Sequence, residues 1–261
     1  MSNVRVIVAL ALAGVLTGCS TLGLGEDERT IEDLTAQEIY TLAQTQLEDG
    51  STAEAAQTFS EVERLYPFSQ LAKRAIVMSA FSSYRAGRYA EARASAQRYV
   101  DLYPSDDDAA YAQYLIALTY YDNMTDVGRD QGTTENALRA LREVTARYPD
   151  SEYARDAALK IDLARDHLAG KEMEIGRYYL KRGHYTAALN RFRRVVEEYE
   201  TTSQTPEALH RIVEANLAMG LEQEAIAAAA VLGHNFPGSD WYLDSYELLT
   251  GRDLIPDDEA A

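Results

Sequence analysis

A single cysteine, Cys19, excludes an intrachain disulfide, so the fold must rest on packing alone. The four histidines, His167, His184, His210 and His234, show no metal-ligand spacing, and no cofactor is expected. A glycine loop of phosphate-binding spacing is missing, and Asp106-Asp107-Asp108 reads as solvated helix caps rather than an acid–base pair. These gaps point away from an enzyme. Basic residues are scarce: 25 Lys and Arg against 42 Asp and Glu leave a net charge of -17. That balance argues against nucleic acid and against a broad face laid on anionic lipid. Long apolar runs are missing too, and beyond residue 18 no stretch approaches the length that crosses a bilayer. An apolar share of 46% nevertheless excludes a disordered body.

The one apolar run, Val4 to Leu16, carries a single basic residue, Arg5, near its start and closes on Leu16-Thr17-Gly18-Cys19. It suits the core of a secretory signal. A small residue before a cysteine at that point is the lipoprotein pattern. The expectation is a signal peptide over 1–18 and a Cys19 carrying diacylglycerol and an N-acyl chain, enough to hold the chain on a membrane by lipid alone. The alternative is an ordinary secreted chain with a free cysteine near its cleavage site. Residues 19–33 mix Gly, Ser, Thr and acidic side chains without period and read as a flexible tether. Residues 251–261 read as an acidic tail that frays.

Periodicity organises what lies between. Gly50 and Gly87 are 37 residues apart, as are Gly183 and Gly220. Five residues after these come Ala55, Ala92, Ala188 and Ala225; seventeen after come Pro67, Pro104, Glu200 and Pro237. A further copy fits Gly132, Ala137, Leu141 and Pro149. A turn glycine, a small residue at the helix crossing and a terminating proline are what paired antiparallel helices need. The expectation is an all-α solenoid of five helix pairs, 34–105 holding repeats one and two, and 106–250 holding repeats three to five. Its last helix, Asp240 to Leu249, is the cap in which Trp241 packs. Ser51-Thr52-Ala53-Glu54 looks like the capped start of a second helix, and helix B of repeat three is expected near Thr134. The third repeat is stretched by Asp122 to Gly132, and a long helix from Glu152 reaches about Leu168, with a bend at Ala169-Gly170. A generic helical bundle punctuated by Gly and Pro is the alternative.

The pattern resembles the tetratricopeptide repeat, best at Gly176, Tyr179, Gly183, Ala188 and Phe192. Longer strings narrow the likeness: Leu16-Thr17-Gly18-Cys19, Glu38-Ile39-Tyr40, Leu47-Glu48-Asp49-Gly50, Arg64-Leu65-Tyr66-Pro67-Phe68, Tyr148-Pro149-Asp150-Ser151-Glu152-Tyr153, and Tyr178-Tyr179 before Arg182-Gly183. Together and in order they resemble the outer-membrane protein assembly factors of the BamD type, with a shorter inserted loop. The resemblance implies a lipoprotein of the Gram-negative outer membrane that faces the periplasm and helps fold and insert β-barrel proteins. It implies as partners the periplasmic domains of the barrel subunit, accessory assembly lipoproteins and the C-terminal segments of unfolded barrel proteins. A pilotin or secretion-system lipoprotein, or a cell-wall adaptor, would share the repeat fold.

Two surfaces are candidates. Tyr40, Gln44 and Tyr84, with Phe68 at the rim, could line an amino-terminal groove for an extended peptide, because tyrosine pairs rigid area with a polar handle. The same tyrosines could simply pack between repeats. Arg177, Lys181, Arg182, Arg191, Arg193 and Arg194 form an acid-free run that reverses the sign of the chain. Guanidinium groups suit carboxylates, and Arg191 is the expected anchor for an acidic partner surface. A solvated face balanced by Glu197, Glu198 and Glu200 is the alternative.

Overall fold

The computed structural model describes residues 30–255. The expected signal, Cys19, most of the tether and the tail beyond residue 255 lie outside the described residues. Eleven α-helices follow a short 3-10 turn, Ile31–Asp33, among the described residues. They are α1 (Ala36–Glu48), α2 (Thr52–Leu65), α3 (Gln70–Arg85), α4 (Tyr89–Leu102), α5 (Ala109–Tyr121) and α6 (Gly132–Arg147). The second half comprises α7 (Glu152–Lys181), α8 (Tyr185–Glu198), α9 (Thr205–Ala218), α10 (Glu222–Asn235) and α11 (Asp240–Thr250).

Side-chain caps start four of the six odd-numbered helices; α5 and α9 begin without one. Thr35 and Glu38 form a reciprocal capping box, and Ser69, Ser151 and Ser239 accept the N–H groups of Ala72, Ala154 and Tyr242. Ser51 precedes α2 as expected, but its side chain makes no cap bond. Each helix packs on the next in the chain, and the odd-numbered row also stacks directly at α1–α3, α3–α5, α5–α7 and α9–α11. Between α7 and α9 the connection runs chiefly through α8. The molecule is therefore an all-α helix-pair solenoid whose core is a string of clusters, not one centre. Ile39, Phe59 and Val62 fill the first; Ile76, Tyr99, Leu115 and Leu141 the second; Met173, Phe192 and Ile212 a later one. At the last crossing Gly176 makes room, since a Cβ there would stand 2.3 Å from the Phe192 ring.

Four turns within pairs share one geometry. Gly50, Gly87, Gly183 and Gly220 sit at φ +83°, +72°, +74° and +74°, where a side chain would be strained. The next residue in each, Ser51, Arg88, His184 and Leu221, donates its N–H to the carbonyl of Gln46, Ser83, Tyr179 and Asn216 respectively. These are Schellman closures. The third pair differs. Gly132, expected as its turn glycine, instead opens α6, which starts two residues before Thr134. The turn is made by 122–131, held by the Gln131 side-chain amide donating to the carbonyls of Asp126, Val127 and Arg129 at 3.2, 3.2 and 3.0 Å. This loop sits on α7: His167 Nε2 lies 2.8 Å from the Thr125 carbonyl, and Val127 covers Gly170. As expected, Ala169-Gly170 does not end the helix. α7 runs on for 30 residues, about 45 Å, packing its first half on α6 and pairing with α8.

At the amino end the packed chain starts before Leu34. Ile31 and Leu34 cover the open end of the first cluster, and the Tyr66 hydroxyl donates to the Leu34 carbonyl at 2.6 Å. Trp241 lies in the cap, its ring 5.3 Å from that of His210.

Candidate interaction site

Three successive members of the odd-numbered row carry aromatic side chains at helical spacing. Phe81 and Tyr84 on α3, Tyr111 and Tyr114 on α5, and Tyr153 on α7 are all half-buried. Their rings run on from one another: Phe81 to Tyr111 at 6.5 Å, Tyr111 to Tyr153 at 5.3 Å, Tyr153 to Tyr114 at 5.4 Å. Arg85 covers the Phe81 ring at 5.8 Å, and Lys160 lies 5.4 Å from that of Tyr121. The result is an aromatic belt with a cation near each end.

The belt's hydroxyls are fixed across helices. Tyr84 donates to Asp122, just past α5, and Tyr114 donates to Asp156 on α7, which also pairs with Lys160 at 2.7 Å. Burial, then the carboxylate partner, pushes the Tyr84 and Tyr114 phenols far up, and burial, with the neighbouring Tyr153, takes Tyr111 to about 12. All three phenols are neutral donors at ordinary pH. Asp156 is held below the usual carboxylate range by Lys160 and then by Tyr114. Beneath the belt, Asp106 accepts from Lys73 on α3 and from the buried Tyr99 on α4, and Lys73 leads in holding its carboxyl down. The expectation that Asp106 is a solvated cap is therefore corrected: only its neighbours Asp107 and Asp108 are exposed.

The expected groove residues do not come together. Tyr40 is 5% exposed and packs edge-on against Phe59 at 5.2 Å, so its ring belongs to the first core cluster. Gln44 faces solvent, and Phe68 stands fully exposed at the α2–α3 turn. Tyr84 alone joins the belt. Tyr111, Tyr114 and Tyr153 went unassigned in the sequence, although a tyrosine pair three apart on an odd-numbered helix was the available signal.

The basic run occupies the end of α7 and the face of α8 turned toward it. Arg191 and Arg194 share one carboxylate, Glu172, at 3.0 and 2.8 Å; that side chain is only 9% exposed. Arg194 also reaches Glu198 at 3.0 Å, Arg177 pairs with Glu207 at 2.9 Å, and Arg182 lies over the Tyr178 ring at 4.4 Å. Lys181 and Arg193 are exposed and have no ion-pair partner among the described residues. Glu172 was invisible to sequence reading because it lies 19 and 22 residues before these arginines and meets them only when α7 and α8 fold together.

Comparison with known proteins supplies the context. Residues 32–232 match the family model described as YfiO, outer membrane lipoprotein. The chain is 48% identical over 251 residues to the outer membrane protein assembly factor BamD of Caulobacter vibrioides, covering 96% of this chain and 81% of that protein. Against the protein of the same name in Rickettsia prowazekii it is 37% identical over 252 residues, covering 95% and 98%. Against that of Neisseria meningitidis serogroup A it is 29% identical over 258 residues, covering 95% and 96%.

Proposed function

The chain belongs to the BamD family of outer-membrane lipoproteins, non-enzymatic factors of outer-membrane protein assembly, and on that premise we propose how its surfaces divide the work. Cys19 carries the diacylglycerol and N-acyl chains that hold the solenoid to the outer membrane, facing the periplasm. The aromatic belt receives extended C-terminal segments of unfolded barrel proteins. The basic run on α7 and α8 docks the solenoid to acidic groups on the periplasmic domains of the barrel subunit, while other faces serve accessory lipoproteins.

The observation that supports this most is the continuity of the belt over three helices, from Phe81 to Tyr153. Flat rings offer contact area at little conformational cost, which suits a client recognised by pattern rather than by exact sequence. Because Tyr84 and Tyr114 already spend their hydroxyl protons on Asp122 and Asp156, an arriving backbone would meet ring faces and hydroxyl lone pairs. In the basic run, Lys181 and Arg193 meet the partner first. Arg191 and Arg194 are held in place by Glu172, and a partner carboxylate would compete with it for their remaining N–H groups.

A mild-detergent pull-down from membranes tests the division, with a photo-crosslinker at Tyr84 or at Arg193. Unfolded barrel segments captured at position 84 and the barrel subunit at position 193 are the expected results. Capture of a secretin or a cell-wall enzyme at both would overturn the assignment of surfaces and favour a different client.

A further inference from the structure

The five turns that lead from one helix pair to the next are built alike. Each follows an aromatic residue, Tyr66, Tyr103, Tyr148, Tyr199 or Phe236, held at φ between -128° and -137°. Two residues beyond that aromatic the turns carry Phe68, Ser105, Asp150, Thr201 and Gly238, all exposed. Four of the five thus manage with a small or polar residue, so the turn itself has no need of a phenylalanine. Phe68 is the exception, and its side chain is fully exposed.

The first turn is also where the chain enters the solenoid. Tyr66 and Arg64 fasten Leu34 and Glu32 at this edge, the arginine at 3.3 Å. Cys19 lies eleven residues before Thr30, a reach of at most ~40 Å when extended. Charge singles out the same edge. The turn and the start of α3, 64–75, contain no acidic residue but hold Arg64, Lys73 and Arg74, in a chain of net charge -17. Most of these are engaged within the fold, but Arg74 is exposed and has no ion-pair partner among the described residues. The later turns carry Asp107 and Asp108, Asp150 and Glu152, Glu200, and Asp240, which an anionic surface would repel.

We propose that the α2–α3 edge, led by Phe68, rests in the headgroup–acyl boundary of the membrane. The inference builds on the lipidation of Cys19 proposed above. An aromatic ring is at home at that depth, and a second contact beside the tether fixes which edge of the solenoid faces the lipid. The acyl chains supply attachment, and Phe68 supplies orientation. The acidic remainder of the molecule then points away, which agrees with a chain that cannot lay a broad face on anionic lipid.

The test uses the full acylated chain in vesicles of phosphatidylethanolamine and phosphatidylglycerol, with photoreactive benzoylphenylalanine replacing Phe68, Ser105 or Gly238 in turn. Phospholipid adducts at position 68 about fivefold above those at 105 and 238 are expected. Equal yields at the three positions would overturn the proposal. So would adducts at 68 that form only with protein when the barrel subunit or an unfolded barrel segment is added, because Phe68 would then belong to a protein contact. The anchor is scored separately, by the mass of the mature chain. A mass without acyl groups would end the Cys19 reading by itself; holding that chain to the vesicles through an amino-terminal histidine tag and a chelating lipid would then test Phe68 alone.

Discussion

The two ends of α7 are fastened by different chemistry. Its first half joins a region tied together by phenols: the buried Tyr99 to Asp106, and the half-buried Tyr84 to Asp122 and Tyr114 to Asp156. Its second half is tied by guanidinium groups, Arg191 and Arg194 converging on Glu172 and Arg177 reaching Glu207. Bonds from a neutral phenol to a carboxylate respond little to salt, whereas pairs with arginines 38–45% exposed are screened. The difference divides labour. The amino-terminal half is a fixed platform, and the carboxy-terminal half is held by the same kinds of groups that a charged partner would offer.

The comparison can be broken most forcefully at Tyr99. Tyr99→Ala should cost about 3–5 kcal/mol in urea unfolding, because the ring is fully buried and its hydroxyl holds Asp106. A loss under about 1 kcal/mol would mean the platform is not keyed there. In the other half, Gly176→Ala should cost about 1–3 kcal/mol, since the new methyl would meet the Phe192 ring. Glu172→Gln should follow at about 1–2 kcal/mol, discounted for the partly exposed arginines. Its cost should shrink markedly in about 0.5 M salt, while that of Tyr84→Phe, about 0.5–1.5 kcal/mol, should not. An equal salt response in both would erase the distinction.

Acid supplies the finest cut. His210 is buried between α9 and α11 beside Ser245, with Glu207, Arg211 and Glu214 on its own helix and Asp244 across from it. Burial holds its pKa below 6.5, so the fold favours the neutral ring. Its contribution is complete above pH 6.5 and is lost as pH falls from there toward the lower folded value. Asp106 and Asp156 have folded values below 3.8; their contribution is complete above that value and is lost only as pH falls further. The cap should therefore loosen first on acidification, reported by the fluorescence of Trp241, while amide exchange in α3–α5 stays slow. Simultaneous loss would contradict the order.

Helix pairing was legible in the spacing because it depends on local chemistry. Glycine at a left-handed turn, alanine at a crossing and a closing proline act within a few residues of where they stand. The fold class follows from that. What escaped depends on contacts between distant segments. Asp106 looks like any acidic cap until Lys73 and Tyr99 arrive from other helices, and Tyr40 shows a groove-like tyrosine until Phe59 covers it. Gly132 kept the expected spacing to Ala137 and Leu141 but not the turn, because a loop with its own hydrogen bonds had taken that task.

The unbroken length of α7 has a thermodynamic consequence. In most solenoids neighbouring units meet across an interface and can part there, so the array melts in stages. Here the units on either side of the loop share one stretch of backbone, and separating them means breaking consecutive turns of a single helix. Helix propagation is cooperative, so a defect opened in its middle, which makes two helices of one, would incur the nucleation penalty once more. The weakest link of the array is thus moved away from its centre, and thermal denaturation should register as one transition rather than two.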